Sequence, residues 1–106
     1  MKIYNNQKEI DTESKINSIC NELATVLKEK NKNYGDSFSK TVDEYGKAVM
    51  LLRIQDKLNR LKQLIILNNN CDNSEESIED TFLDIAGYAV LAKIYLQNNK
   101  KKYKAE

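Results

Sequence analysis

The run KAVMLLRIQDKLNRLKQLIIL, residues 47–67, carries an apolar side chain every three or four positions. Leu51, Ile54, Leu58, Leu61 and Ile65 fall on one side of an α-helix as a continuous heptad-like seam. Val49, Leu52, Ile66 and Leu67 add apolar surface off that seam, more than one partner helix covers, so this helix needs a second contact. The rest of the chain has the same period. With no proline and three glycines in 106 residues there are few breaks, and the spacing predicts an all-α fold, a small bundle of about four helices.

Working outward from that helix, the segment before it, SFSKTVDEYG, places Phe38, Val42 and Tyr45 four and three apart and predicts a short amphipathic helix closed by Gly46. Further back, Ile16, Ile19, Leu23, Val26 and Lys30 are spaced three, four, three and four, with Cys20 and Leu27 widening the stripe and Thr12 or Ser14 as the cap. Residues 1–12 read as irregular. Beyond the central helix, residues 68–77 are a polar loop whose Asn73 and Glu76 have the spacing of a capping box. A fourth helix then extends to about Gln97. Ile78, Phe82, Ile85, Ala89, Ala92 and Leu96 lie on one of its faces and Leu83, Val90, Leu91 and Ile94 on much of the other, which predicts burial on most sides. The lysine-rich residues 98–106 read as a solvated basic tail.

The length suits a single domain, residues 1–106, near the size at which burial is adequate but not generous. A homo-oligomer, most simply a dimer joined through helix faces, would cover the surplus apolar surface. Lys and Arg number 17 against 16 Asp and Glu, so overall charge gives no strong nucleic-acid signal and no reason to expect a membrane surface. No apolar run is long enough to span a bilayer and the start lacks a signal-peptide core, which predicts a soluble cytoplasmic protein. The absence of histidine removes Cys/His zinc sites and any imidazole base. Cys20, on the apolar face of the first helix, and Cys71, in the Asn-rich loop, read as two separate reduced thiols.

Charges inside the apolar helices mark the candidate site. Asp84 sits in a segment of mostly apolar, aromatic and small residues, where an unpaired carboxylate would cost several kcal/mol, so a buried cation, a hydrogen-bond network or a metal ion should meet it. Glu76, Asp80 and Asp84 follow at i, i+4 and i+8 and so share one side of the fourth helix. On the central helix Arg53, Lys57 and Arg60 share a sector, with Asp56 at its edge. A salt-bridge ladder between the two helices explains any one pair. The cluster as a whole is larger than packing requires and has two uses. The carboxylates Asp56, Glu76, Asp80 and Asp84 can hold Mg²⁺ or Mn²⁺, and the guanidinium and ammonium groups can grip phosphate. Both uses point to a phosphorylated small molecule. In the loop KNKNYGDSFSK, residues 30–40, Tyr34 can stack on a base, Gly35 admits close backbone approach and Asp36 or Ser37 can bind a sugar hydroxyl or a base edge. The alternative is a helix-ending turn in which Gly35 follows the helix, Asp36 or Ser37 caps the next one, and Tyr34 and Phe38 plug the core.

Taken in order, KNYGDSFSKT, RIQDKLNRL and ESIEDTFLDIAGYAVL resemble a family found largely in phages and mobile elements, nucleotide modification associated domain 1. The resemblance spans about Lys30 to Leu96 and implies a small α-helical domain tied to phage nucleotide biology. Tyr34, Gly35, Asp36, Arg53, Asp56, Lys57, Arg60, Glu76, Asp80 and Asp84 are its matching positions. A more distant similarity, to the MazG-type all-α nucleoside triphosphate pyrophosphatases, implies Mg²⁺ held by pairs of acids. Here Asp56 is followed three positions on by Asn59 where that pattern wants a second acid, so no residue is assigned a catalytic role. The expectation is a phage-type nucleotide-binding protein, with sequestration of a nucleotide immune signal as the role the phage association suggests. A Mg²⁺-dependent pyrophosphohydrolase and a structural helical module are the alternatives.

Overall fold

The computed structural model describes the backbone of residues 2–67 and 74–105 and the side chains of residues 11–67 and 76–100. Four α-helices follow in order: α1 (Lys2–Tyr34), α2 (Ser37–Tyr45), α3 (Ala48–Leu61) and α4 (Ser74–Ala105). No strand occurs among the described residues, so the all-α expectation holds. Contacts divide the chain into two units, residues 1–35 and residues 36–106.

The first unit is one helix. α1 begins at Lys2, ten residues before the expected cap, because nothing between Lys2 and Tyr34 is a proline or a glycine. Thr12 and Ser14 are therefore interior helical residues, not caps. Ile16, Ile19 and Cys20 are exposed, and the placing of Cys20 on a buried face is corrected to a solvent-facing free thiol. Cys71 and Asn73 lie outside the described residues. α1 ends at Tyr34 and is followed by Gly35 at φ 59°, the left-handed conformation that commonly closes a helix. Tyr34 is 70% exposed, which rules out its expected role as a core plug.

In the second unit the short helix is found where its spacing placed it. Gly46 closes α2 at φ 95°, a conformation that suits glycine, and its N–H donates to the Val42 carbonyl at 2.7 Å. Phe38 and Val42 project from α2 onto Val49, the three forming the buried cluster, with Met50, Tyr88, Leu91, Ala92 and Tyr95 packed around it. The Phe38 and Tyr88 rings are tilted, with centroids 6.0 Å apart. At the margin the Tyr95 hydroxyl donates to Asp43 Oδ1 at 2.6 Å and ties α4 to α2. Thr81, buried on α4, satisfies its hydroxyl by donating to the Ser77 carbonyl one turn back at 2.7 Å.

α3 and α4 pack on each other. The central helix does not continue regularly to Leu67. Residues Lys62–Ile66 widen into a π turn, marked by the Leu67 N–H donating to the Lys62 carbonyl at 3.0 Å. Leu61 and Leu64 are buried, while Ile65, Ile66 and Leu67 face solvent. The expected seam is also divided, before the π turn as well as in it: Leu61 is inside, Ile54 half-buried, and Leu51, Leu58 and Ile65 outside. α4 differs as well. Phe82, Val90, Ile94 and Leu96 are exposed, so one face of this helix is packed and not most of its circumference. Its backbone stays helical to Ala105, past the expected tail, since no glycine or proline after Gly87 stops it and lysines suit a helix C-terminus.

Two substitutions separate the parts of this core. Phe38→Ala, which empties the α2 contact, should lower the unfolding free energy by roughly 3 kcal/mol. Tyr95→Phe, which removes the hydroxyl that donates to Asp43, should cost no more than about 1 kcal/mol. Urea denaturation followed by circular dichroism measures both, and similar losses would contradict the assignment of the core.

Candidate functional site

α3 and α4 bring together one pair of the predicted site residues. Lys57 Nζ lies 3.0 Å from Asp84 Oδ2, and each side chain is 32% exposed. The expectation that a cation meets Asp84 holds. That cation is the lysine, and the pair stands at a half-open edge of the two helices, not in a sealed interior. An ion pair this open contributes at most about 1 kcal/mol.

One turn to either side, the ladder expected between the helices is not built. Arg53 and Arg60 are exposed and, like Asp56, take part in no ion pair among the described residues. Arg53 lies four residues before Lys57 and Arg60 three after it, so their Cα atoms are separated along the axis by about 10 Å. Two guanidinium groups with no carboxylate at hand thus straddle an ammonium group that already has one. Arg60 is also in the last turn of α3, where positive charge suits the helix dipole. The positive end of this sector is available to an anion in a way the middle is not.

The acids are arranged differently. Glu76 and Asp80 are exposed on the line along α4 that leads to Asp84. Asp56 is exposed on α3. No group of three or more acidic or cysteine side chains converges on a point that could hold a metal ion among the described residues. Asp84, the least exposed of the four, has the Lys57 ammonium group against its oxygen. As placed, these four carboxylates do not fit a shared Mg²⁺ or Mn²⁺, and no chemical step is drawn through one.

The loop residues fall on both sides of the division between the units. Tyr34 and Gly35 end the first, and Asp36 begins the second. Asp36 adopts φ 61°, ψ 35°, the left-handed region, and stands at the start of α2 without a side-chain cap hydrogen bond. The expected capping role is therefore corrected: the Asp36 carbonyl accepts from the Lys40 N–H at 3.3 Å, while its carboxylate takes no part in the helix start. Aspartate tolerates left-handed backbone better than most residues, which explains how it follows Gly35 there.

Sequence reasoning missed the π turn and the Tyr95–Asp43 bond. Neither leaves a signal at this spacing, because a π turn has the same residue types as an α turn and Asp43 and Tyr95 are 52 positions apart.

No curated protein and no solved structure matches the chain. Residues 30–96, which include the end of α1, all of α2 and α3, and α4 through Leu96, match the family described as nucleotide modification associated domain 1. With the match covering well over half of its length, the chain belongs to the nucleotide modification associated domain 1 family.

Proposed function

We propose that the protein binds a nucleotide through its phosphates, using Arg53 and Arg60 on the open edge of α3. The observation that carries this reading is the pair of exposed guanidinium groups, without ion-pair partners among the described residues, on either side of Lys57. Arg binds phosphate through two parallel charge-assisted hydrogen bonds, which a point charge cannot reproduce. Asp84 holds the Lys57 side chain across the helix pair, so the lysine contributes to the local field more than to direct contact. Family membership supports a nucleotide over other phosphorylated ligands.

On the same reading the ligand is bound and left intact. Among the described residues no three acids converge on one point, and the sequence has no imidazole base. A binder of this kind acts by lowering the free concentration of its ligand, which suits a phage-type protein that sequesters a nucleotide signal of the host. Self-association of the chain belongs to the same proposal and draws on its exposed apolar surface.

Isothermal titration with a panel of mono-, di- and cyclic nucleotides, with chromatography of the same mixtures, tests this. Arg53→Gln and Arg60→Gln should each weaken binding about tenfold, equivalent to about 1.4 kcal/mol, with unchanged melting temperature. Binding that is unaffected by both changes would remove the arginines from the site. Recovery of cleaved nucleotide would replace sequestration with hydrolysis.

Asp84→Asn gives a second, independent reading. It breaks an open ion pair, so the loss of stability should stay below about 1 kcal/mol, where breaking a buried pair would cost roughly 3 to 5 kcal/mol. Releasing Lys57 also adds net positive charge at the edge, and metal-free affinity for a nucleotide should hold or rise. A fall in affinity that appears only with Mg²⁺ present would instead assign Asp84 to a metal.

A further inference from the structure

The charges along the outer edge of α3 change sign and change back. Arg53 and Arg60 are seven residues apart, within about 20° of two full turns, so both stand on one line down the helix. Both precede the π turn, which starts at Lys62, and regular helical geometry applies to the pair. Asp56 comes three residues after Arg53 and four before Arg60, which makes it a surface neighbour of both, and it is exposed. On the other flank of the same turn, Asp84 Oδ2 meets Lys57 Nζ at 3.0 Å. The middle turn thus holds two carboxylates against one ammonium group, with a guanidinium about 5 Å along the axis to either side. These spacings are shorter than the Debye length, ~8 Å at physiological ionic strength, so salt does not erase the pattern. A phosphate centred between the arginines is repelled by Asp56 and Asp84. One placed beside either arginine has a bidentate partner and stays farther from the carboxylates.

We infer that the nucleotide this site takes carries two phosphate groups set apart by a sugar, one held by Arg53 and the other by Arg60, with an uncharged part of the ligand across the middle turn. The inference rests on the phosphate-binding reading of the two arginines and narrows it to a class of ligand. Phosphates joined through one bridging oxygen lie closer together than one helical turn, ~5 Å, so a di- or triphosphate that engages both arginines lies across the carboxylates. Phosphates on different oxygens of a ribose, as in a nucleoside 3′,5′-bisphosphate, are farther apart and leave the middle free. A cyclic dinucleotide has the same property, with its two phosphodiesters on opposite sides of the ring. Asp56 also attracts, since a carboxylate accepts hydrogen bonds from a sugar hydroxyl or from the amino group of a base. Repulsion of the wrong spacing and attraction of the right one come from the same turn of α3.

The test is isothermal titration of the full chain in metal-free buffer with four probes, each in an adenine and a guanine series: the nucleoside 3′,5′-bisphosphate, the cyclic dinucleotide, the 5′-diphosphate and the 5′-triphosphate. The bisphosphate matches the diphosphate in number of phosphates and the triphosphate in charge, so spacing is what separates it from them. At least one of the two probes with separated phosphates should bind tenfold more tightly than both contiguous ones, and the one that does identifies the source of the ligand. Arg53→Gln and Arg60→Gln should each weaken that probe about tenfold and the double variant about a hundredfold, because the two contacts are independent. Asp56→Asn and Asp84→Asn should raise affinity for the triphosphate and narrow the preference severalfold, with helical circular dichroism retained. A diphosphate or triphosphate that binds as tightly as the separated probes, or a preference that both asparagine variants leave intact, would overturn the two-phosphate class and keep the arginines in the site. No binding of any probe, or binding that both arginine variants leave unchanged, would overturn the phosphate site itself.

Discussion

Phe38 and Val42 reaching from α2 onto Val49 set the arrangement of everything else in residues 36–106. A nine-residue helix has little stability of its own, so α2 exists because its apolar side is covered, and Gly46 turns the chain sharply enough for α3 to return beneath it. That contact orients α3, and the orientation decides which of its residues meet α4. Lys57 falls toward Asp84. Arg53 and Arg60, one turn away on each side, fall at an edge where no described acid reaches them.

The same constraint explains why so much apolar surface is left over. Each helix of the second unit has one face committed to the others, and three helices offer no more faces than that. α3 and α4 were built with apolar residues on more than one side, so the surplus is written into the sequence and not created by a packing fault. The exposed arginines and the exposed leucines thereby occupy different sides of α3, so a change at Leu51 or Leu58 need not disturb Arg53 or Arg60.

Much of this was legible in the residues. The three-and-four spacing of residues 16–30, 38–45 and 51–65 gave the helices, and Gly46 gave the end of α2 to within a residue. The need of Asp84 for a cation followed from its apolar surroundings. Which cation did not, because Arg53, Lys57 and Arg60 share a sector and only the packing angle of two helices selects among them. Helix ends were overrun at Lys2 and Ala105, where the chain has no residue able to stop a helix. Burial was the least legible quantity. An apolar stripe states that a face wants covering, and Leu51 and Phe82 show that it does not state what covers it.

The π turn at Lys62–Ile66 changes how length variation in this chain should be understood. It accommodates one residue more than an α turn over nearly the same rise, and so shifts the angular phase of all that follows by about 100°. Leu64 within it is buried, and Ile65 and Ile66 are exposed. Lys57 lies upstream of the shift, and its meeting with Asp84 depends on the helix before it. A relative one residue shorter here would run as unbroken α-helix, keep the charged pair, and present a different set of apolar side chains to its surroundings. The segment is thus a point at which the exposed apolar side chains can be rotated by gaining or losing a single codon, with the charged edge of the fold left as it was.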